Sequence, residues 1–240
     1  LVKRIQNEVK KIGKISYEMI FVNDDSLDDS EQILMKLKKN YPIVIINMSR
    51  VFGTAPCVLA GFKEATGDII VYMDSDLQDP PEIVSEMYSK FKNGAEIVHA
   101  SRLRRDGENF LKIWITKQAY KIINYFSDID IPENTGDFKM LSKRVVQNIL
   151  KLEEYDPFMR GLSLWIGFKQ DFVYYNRDKR FAGETGFPLF SKNPRREFIR
   201  GLTSFSAGPL YFSLAFGFVV CFVSILLILY AIISKILGFS

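Results

Sequence analysis

The 240-residue chain holds two cysteines and one histidine. With Cys221 inside an apolar tail, two cysteines exclude a disulfide framework and a cysteine zinc cluster. A lone His99 cannot build a multi-histidine metal site, so any metal must be held by oxygen. His99 is expected as a partly buried residue at the end of a strand over residues 95–100. No G-x-G-x-x-G follows an apolar block, which argues against a dinucleotide fold, and no loop carries the glycine and terminal glutamate of an EF-hand. Charge is missing from one region. The chain has 32 Lys and Arg against 28 Asp and Glu, yet residues 201–240 carry only Lys235.

That uncharged tail is the most conspicuous feature present. Residues 210–233 read LYFSLAFGFVVCFVSILLILYAII, longer than the roughly 20 apolar residues a helix needs to cross a bilayer. No polar face is visible, as a buried core helix would show, and the C-terminal position excludes a signal peptide. Just before it, residues 157–200 hold nine Lys or Arg and four acids, a net of +5 in a chain whose total is +4. Such a collar attracts anionic headgroups, and the positive-inside rule places the body in the cytoplasm. Basic residues gathered beside a span, without a separate stacking platform, do not suit a nucleic-acid binder. The chain is expected to divide into a catalytic body at 1–156, a basic interfacial region at 157–206 and a membrane helix at 207–236.

The body alternates apolar blocks with helical patterns. Residues 18–22, 43–47, 68–73 and 95–100 read as buried strands, and 30–40, 54–66 and 81–92 as helices. This implies an α/β fold with a largely parallel sheet, whose ligands bind at the carboxyl ends of the strands. Acids stand at two of those ends. The first, Val22-Asn23-Asp24-Asp25-Ser26-Leu27-Asp28-Asp29-Ser30, has more acids than a helix cap needs. Asp28 or Ser30 would cap the helix, leaving Asp24 and Asp25 for a base or ribose. The second, Asp74-Ser75-Asp76-Leu77-Gln78-Asp79-Pro80-Pro81-Glu82, offers two carboxylates and an amide oxygen to one hard cation, with Asp79 free to cap the following helix.

In this order the motifs resemble a family 2 glycosyltransferase of the GT-A (Rossmann-like) fold, closest to the polyprenyl-phosphate sugar transferases of the bactoprenol glucosyltransferase and dolichol-phosphate mannose synthase types. Residues 22–30 are similar to that family's V-D-D-G-S-x-D-x-T nucleotide loop, with Asn23 for its first Asp and Asp25 for its Gly. Residues 74–82 resemble its D-x-D-L-Q-x-P-P-E loop. By resemblance, Asp74, Asp76 and Gln78 surround an Mg²⁺ or Mn²⁺ bridging the donor diphosphate, and Asn23, Asp24 and Asp25 lie near the nucleotide. Ser101-Arg102 looks like the family's S-R step, whose arginine faces phosphate. Thr135-Gly136-Asp137-Phe138-Lys139-Met140-Leu141 resembles its T-G-D-F-R-L-M acceptor loop, and residues 160–168 its R-G-L-x-x-W-x-G-F helix. Residues 177–186 resemble R-x-x-R-x-A-G-E-T-K, a phosphate clamp, but Gly186 replaces the lysine and leaves Arg177 or Arg180 to carry its charge.

The resemblance implies a nucleotide-sugar donor, a polyprenyl phosphate acceptor, a membrane lipid surface and a bacterial inner-membrane location with the catalytic domain cytoplasmic; a homo-oligomer is left open. Asp76 and Asp137 are the expected catalytic groups, with Asp137 orienting the acceptor or taking up a proton; an Asp capping the turn before Phe138 is the plainer alternative. Family members begin with a strand and a P-V-Y-N-E loop and often end in two spans, so a chain opening within the following helix and carrying one span is expected to be truncated at both ends. A saccharide or protein acceptor, or an inactive membrane-tethered nucleotide-sugar binder, are the rival readings.

Overall fold

The computed structural model describes residues 1–105, 110–154, 157–177 and 192–238. Helix α1 (Val2–Ile12) opens the chain and is followed by β1 (Met19–Asn23), α2 (Ser30–Leu37), β2 (Ile43–Asn47), α3 (Thr54–Glu64) and β3 (Ile69–Tyr72). A short 3-10 turn at Pro81–Ile83 then leads into α4 (Val84–Lys92), because Pro81 presets the backbone angle of a first turn and needs no N–H there. Next come β4 (Ile97–Arg105), α5 (Phe110–Phe126), β5 (Thr135–Ser142), α6 (Lys143–Lys151), α7 (Met159–Trp165), β6 (Gln170–Arg177), α8 (Lys192–Ser204) and α9 (Gly208–Ile236).

The four strands expected from apolar blocks are present, but the sheet is mixed rather than largely parallel. β1 and β2 pair in parallel, from Met19 opposite Ile43 to Asn23 opposite Asn47. The other four strands run in the order β3-β5-β4-β6, with β5 antiparallel to both neighbours and β4 parallel to β6. β5 carries no continuous apolar run, since Asp137 and Lys139 interrupt it. Period-two alternation sends Asp137, Lys139 and Leu141 to one face and Phe138 and Met140 to the other. An apolar block is the signature of a strand buried between hydrophobic layers, and a strand with two charges on a buried face does not show it. β6 falls within residues 157–206 yet forms an edge of this sheet.

Two apolar layers sandwich the four-stranded sheet. Ile70, Ile97, Leu141, Val145, Ile149 and Leu162 belong to one, while Met87, Val98, Phe138, Met140 and Val173 fill the other. Ser142 Oγ caps α6 by accepting from the Val145 N–H at 3.2 Å. The first layer extends to the base of the tail. A Cβ on Gly161 would lie 2.3 Å from the Phe205 ring, so only glycine lets α7 and the α8–α9 corner approach this closely. The Phe205 carbonyl accepts from the Asp128 N–H at 3.0 Å, tying that corner to the end of α5.

α9 has 29 residues, which at the helical rise is about 44 Å and exceeds a hydrocarbon core of about 30 Å. None of its residues is buried, and its leucines, isoleucines, valines and phenylalanines stand exposed all round. It is therefore long and apolar enough to cross a membrane.

Candidate active site

The acids expected at the strand ends stand at the carboxyl ends of β1 and β3, and several have local work to do. Asp24 accepts from the Phe52 and Gly53 N–H groups at 2.7 and 2.8 Å, clamping the loop after β2 to the loop after β1. Asp25 has φ of 56°, the left-handed region that favours glycine, which accounts for a glycine at the equivalent place in the related motif. Asn23 donates to Asn47 Oδ1 at 3.1 Å and accepts from the Ser26 N–H at 3.1 Å. Asp28 accepts from the Ser30 N–H at 3.0 Å, a tight turn before α2.

In the loop after β3, Asp76 accepts from the Gln78 N–H at 3.0 Å, and Leu77 between them has φ of 63°. Asp79 does not cap the next helix. It is buried, receives the Tyr175 hydroxyl at 2.5 Å and lies 3.5 Å from Arg102 Nη2. Tyr175 also receives the Arg102 Nε–H at 3.1 Å. The Arg102 guanidinium is thus set against Asp79 and Tyr175, with Gly136 so near that a Cβ there would come within 2.7 Å of Nη2. Burial, joined by the negative charges of Asp137, Asp79 and Asp76, pushes the Asp74 carboxyl up to about 6. The Arg102 charge offsets only part of this, so the acids outweigh the cations acting on Asp74 among the described residues.

Whether these residues suit a divalent metal follows from that imbalance. Among the described residues no group of three His, Cys, Asp or Glu side chains has the geometry to hold a metal. Two carboxylates and one amide suit a hard ion that takes its remaining ligands from substrate phosphates and water, and excess negative charge at Asp74 favours its arrival.

Asp137 sits inside β5, not in a turn, and Arg160 of α7 grips it in a two-point ion pair. The Arg160 Nη2–H reaches Oδ2 at 2.7 Å, and Nε–H reaches the two carboxylate oxygens at 3.1 and 3.2 Å. Arg160 also donates to the Tyr120 hydroxyl at 3.1 Å. Burial alone would raise the Asp137 carboxyl, but the Arg160 charge and hydrogen bonds hold it below the ordinary range. It is therefore an ionised acceptor at neutral pH. Arg160, counted in the sequence among the basic collar, is an internal residue of the body.

Two residues further along the same face lies Lys139, fully buried. Its Nζ donates to His99 Nδ1 at 2.9 Å, and His99 Nε2 meets Gln170 Oε1 at 2.8 Å. Because the Gln170 amide N–H₂ is committed to the Leu164 carbonyl at 2.9 Å, its oxygen faces the imidazole, which assigns the proton to Nε2 and leaves Nδ1 to accept. The ring stacks on Phe172 at 5.0 Å. His99 is thus wholly buried, the third residue of β4, rather than partly buried at a strand's end. Burial, with the Lys139 charge beside it, pushes the imidazole down to about 3, so it stays neutral.

Burial also pushes the Lys139 ammonium from its ordinary 10.5 down to about 7. Below pH 7 the lysine is charged in folded and unfolded chains alike, and the cost of burying that charge is fully present. Between about 7 and 10.5 only the unfolded chain keeps the proton, so this group makes stability rise with pH across that window. Lys139→Met should remove that rise, which urea midpoints at several pH values in detergent will register; an identical pH slope in the variant would contradict it.

Tyr72, the last residue of β3, lies opposite Lys139 in the register. Its ring packs edge-on against Phe62 at 5.4 Å, while its buried hydroxyl has no hydrogen-bond partner among the described residues. Tyr72 forms part of the wall of a hollow whose polar lining among the described residues also includes Thr54, Asp137, Arg160, Glu197 and Arg200, the last two from α8. Within α8, Arg200 donates to Glu197. Nothing in the sequence singled out Tyr72 or Lys139, since a tyrosine in an apolar strand and a lysine in a mixed one are ordinary. The Arg160–Asp137 pair joins two motifs whose residues were each noted but not connected. Arg177 ends β6, while Arg180 and Gly186 lie outside the described residues.

Comparison with known proteins finds relatives of the chain. The family model described as "Glycosyl transferase family 2" matches residues 2–150. The chain is 45% identical over 204 residues to "Uncharacterized glycosyltransferase YkcC" of Bacillus subtilis (strain 168), covering 85% of this chain and 62% of that protein. It is 37% identical over 221 residues to "Prophage bactoprenol glucosyl transferase homolog" of Escherichia coli (strain K12), covering 90% and 71%. The "Bactoprenol glucosyl transferase" of Shigella phage SfX is 36% identical over 207 residues, covering 85% and 66%. Across the curated relatives named here and one from Synechocystis sp. (strain ATCC 27184 / PCC 6803 / Kazusa), the chain spans 54% to 71% of their length. Among solved structures, "Mannosyltransferase PcManGT from Pyrobaculum calidifontis in complex with GDP-Man and Mn2+" aligns at 14% identity and a TM-score of 0.45, covering 75% of this chain and 55% of that one.

Proposed function

The chain belongs to glycosyl transferase family 2, and from that premise we propose that it moves a sugar from a UDP- or GDP-linked donor to a polyprenyl phosphate at the cytoplasmic face of a bacterial membrane. One observation carries the lipid acceptor: the hollow containing Asp137 is lined by Glu197 and Arg200 of α8, and α8 leads within a few residues into the bilayer-length helix α9. The names of the bactoprenol glucosyl transferase relatives support the same acceptor.

In this reading Asn23, Asp24 and Asp25 border the nucleotide, and Asp74, Asp76 and Gln78 hold an Mg²⁺ or Mn²⁺. When bound, that ion neutralises charge on the departing diphosphate. Arg102 adds a fixed positive charge on β4, oriented by Asp79 and Tyr175. Arg177 and Arg180 are assigned to the phosphates. The acceptor is a phosphate monoester, anionic at neutral pH, so no strong base is needed. Asp137, locked by Arg160, accepts a hydrogen bond from the acceptor's remaining proton and fixes the attacking oxygen. The basic segment before α9 keeps the site at the headgroup level, where a lipid-borne phosphate lies. Transfer of labelled sugar into an organic-extractable lipid by the membrane-bound protein tests the reading.

A further inference from the structure

We propose that the Tyr72 hydroxyl is a sugar-selecting contact, donating a hydrogen bond to one hydroxyl of the transferred sugar. The proposal deepens the function proposed above and rests on it for the nature of the donor. A buried hydroxyl without a partner costs stability, and folded proteins rarely keep one without a use. Tyr72 stands two residues before Asp74, at most about 7 Å along the chain, so this strand end adjoins the loop assigned to the donor diphosphate. The hollow that Tyr72 lines has walls of mixed character. Among the described residues that line it, Asp137 and Glu197 accept, Arg160 and Arg200 donate, their formal charges cancel, and Ala55 and Val58 supply apolar surface.

A charge-neutral set of donors and acceptors with an apolar wall suits a neutral hydroxyl, and the acceptor phosphate that the function above sets against Asp137 is too large to enter the space and stays at its mouth. The space is too small for a sugar ring and takes one or two water-sized groups, so it admits a single hydroxyl of a ring lying outside it. Sites built to hydrogen-bond a substrate hydroxyl discriminate strongly against analogues that lack it. The structure thus assigns Tyr72 a part in choosing which sugar is moved.

Tyr72→Phe removes one oxygen and no packing. In the intact membrane-bound protein, parent and variant are compared for binding and transfer of UDP-glucose, UDP-N-acetylglucosamine and GDP-mannose, and of analogues of the best donor with one sugar hydroxyl at a time replaced by hydrogen. The variant should lose about tenfold in kcat/KM for the complete sugar. It should equal the parent on the one analogue that lacks the contacted hydroxyl, with unchanged KM for undecaprenyl phosphate and an undiminished thermal midpoint. An unchanged kcat/KM, an equal loss on every analogue, or a loss confined to the lipid KM would overturn the proposal. Donor binding that weakens by sugar identity, without transfer to lipid, would uphold the role of Tyr72 and refute the acceptor instead. If none of the donors binds, the proposal falls together with the reading beneath it.

Discussion

Asp76→Asn is expected to lower sugar transfer by about a thousandfold or more while leaving thermal unfolding unchanged. The rate effect follows from the several kcal/mol by which a bound cation stabilises charge on a leaving diphosphate, since each factor of ten corresponds to about 1.4 kcal/mol. Stability is spared because the hydrogen bond the side chain makes among the described residues, accepted from the Gln78 N–H at 3.0 Å, can be accepted by an asparagine oxygen as well. Asn also removes one of the acids that push Asp74 up, so the protein without metal is not made worse. Transfer rates titrated with Mn²⁺ would show a variant that high metal scarcely rescues. Transfer within a few fold of the parent would refute the role of this loop.

Arg160→Leu is expected to be the most damaging single change to the fold outside the apolar layers. It leaves the Asp137 carboxylate without its two-point partner and removes the hydrogen bond to Tyr120. Breaking a buried ion pair costs about 3 to 5 kcal/mol. The low end applies here, because 27% of the Arg160 side chain and 20% of the Asp137 side chain remain accessible. A loss of about 3 kcal/mol corresponds to a fall of roughly 6 to 12 °C in thermal midpoint for a chain of this size. Asp137→Asn combined with Arg160→Leu should recover much of the loss, since the unpaired charge is then gone, yet remain inactive. A single variant as stable as the parent would show that the pair does not hold α7 to β5.

The same two positions show what could and could not be read from the residues alone. The strand-end acids were legible because chemistry of that density at the close of an apolar block has few structural uses. Their local duties were not: Asp24 binding the Phe52 and Gly53 amides, and Asp79 buried against Tyr175, depend on partners 28 and 96 residues away. The β3 strand could be seen from Ile69–Tyr72, whereas β5 was hidden by Asp137 and Lys139, the side chains that carry its interest. The bilayer-length tail was visible from composition. That Arg160 belongs to the interior was not, because the collar could be counted only as a sum of charges, and only the α7–β5 contact reveals which member had left it.

The central claim, sugar transfer to a lipid phosphate, is tested most directly by one measurement. Membranes containing the protein are given labelled UDP- and GDP-sugars with undecaprenyl phosphate and Mg²⁺ or Mn²⁺, and label is followed into the organic-extractable fraction. The expected result is one labelled lipid, dependent on undecaprenyl phosphate and divalent metal and missing when Asp76→Asn replaces the parent. Label that appears instead on a water-soluble saccharide or on protein, with no labelled lipid for any donor, would contradict it.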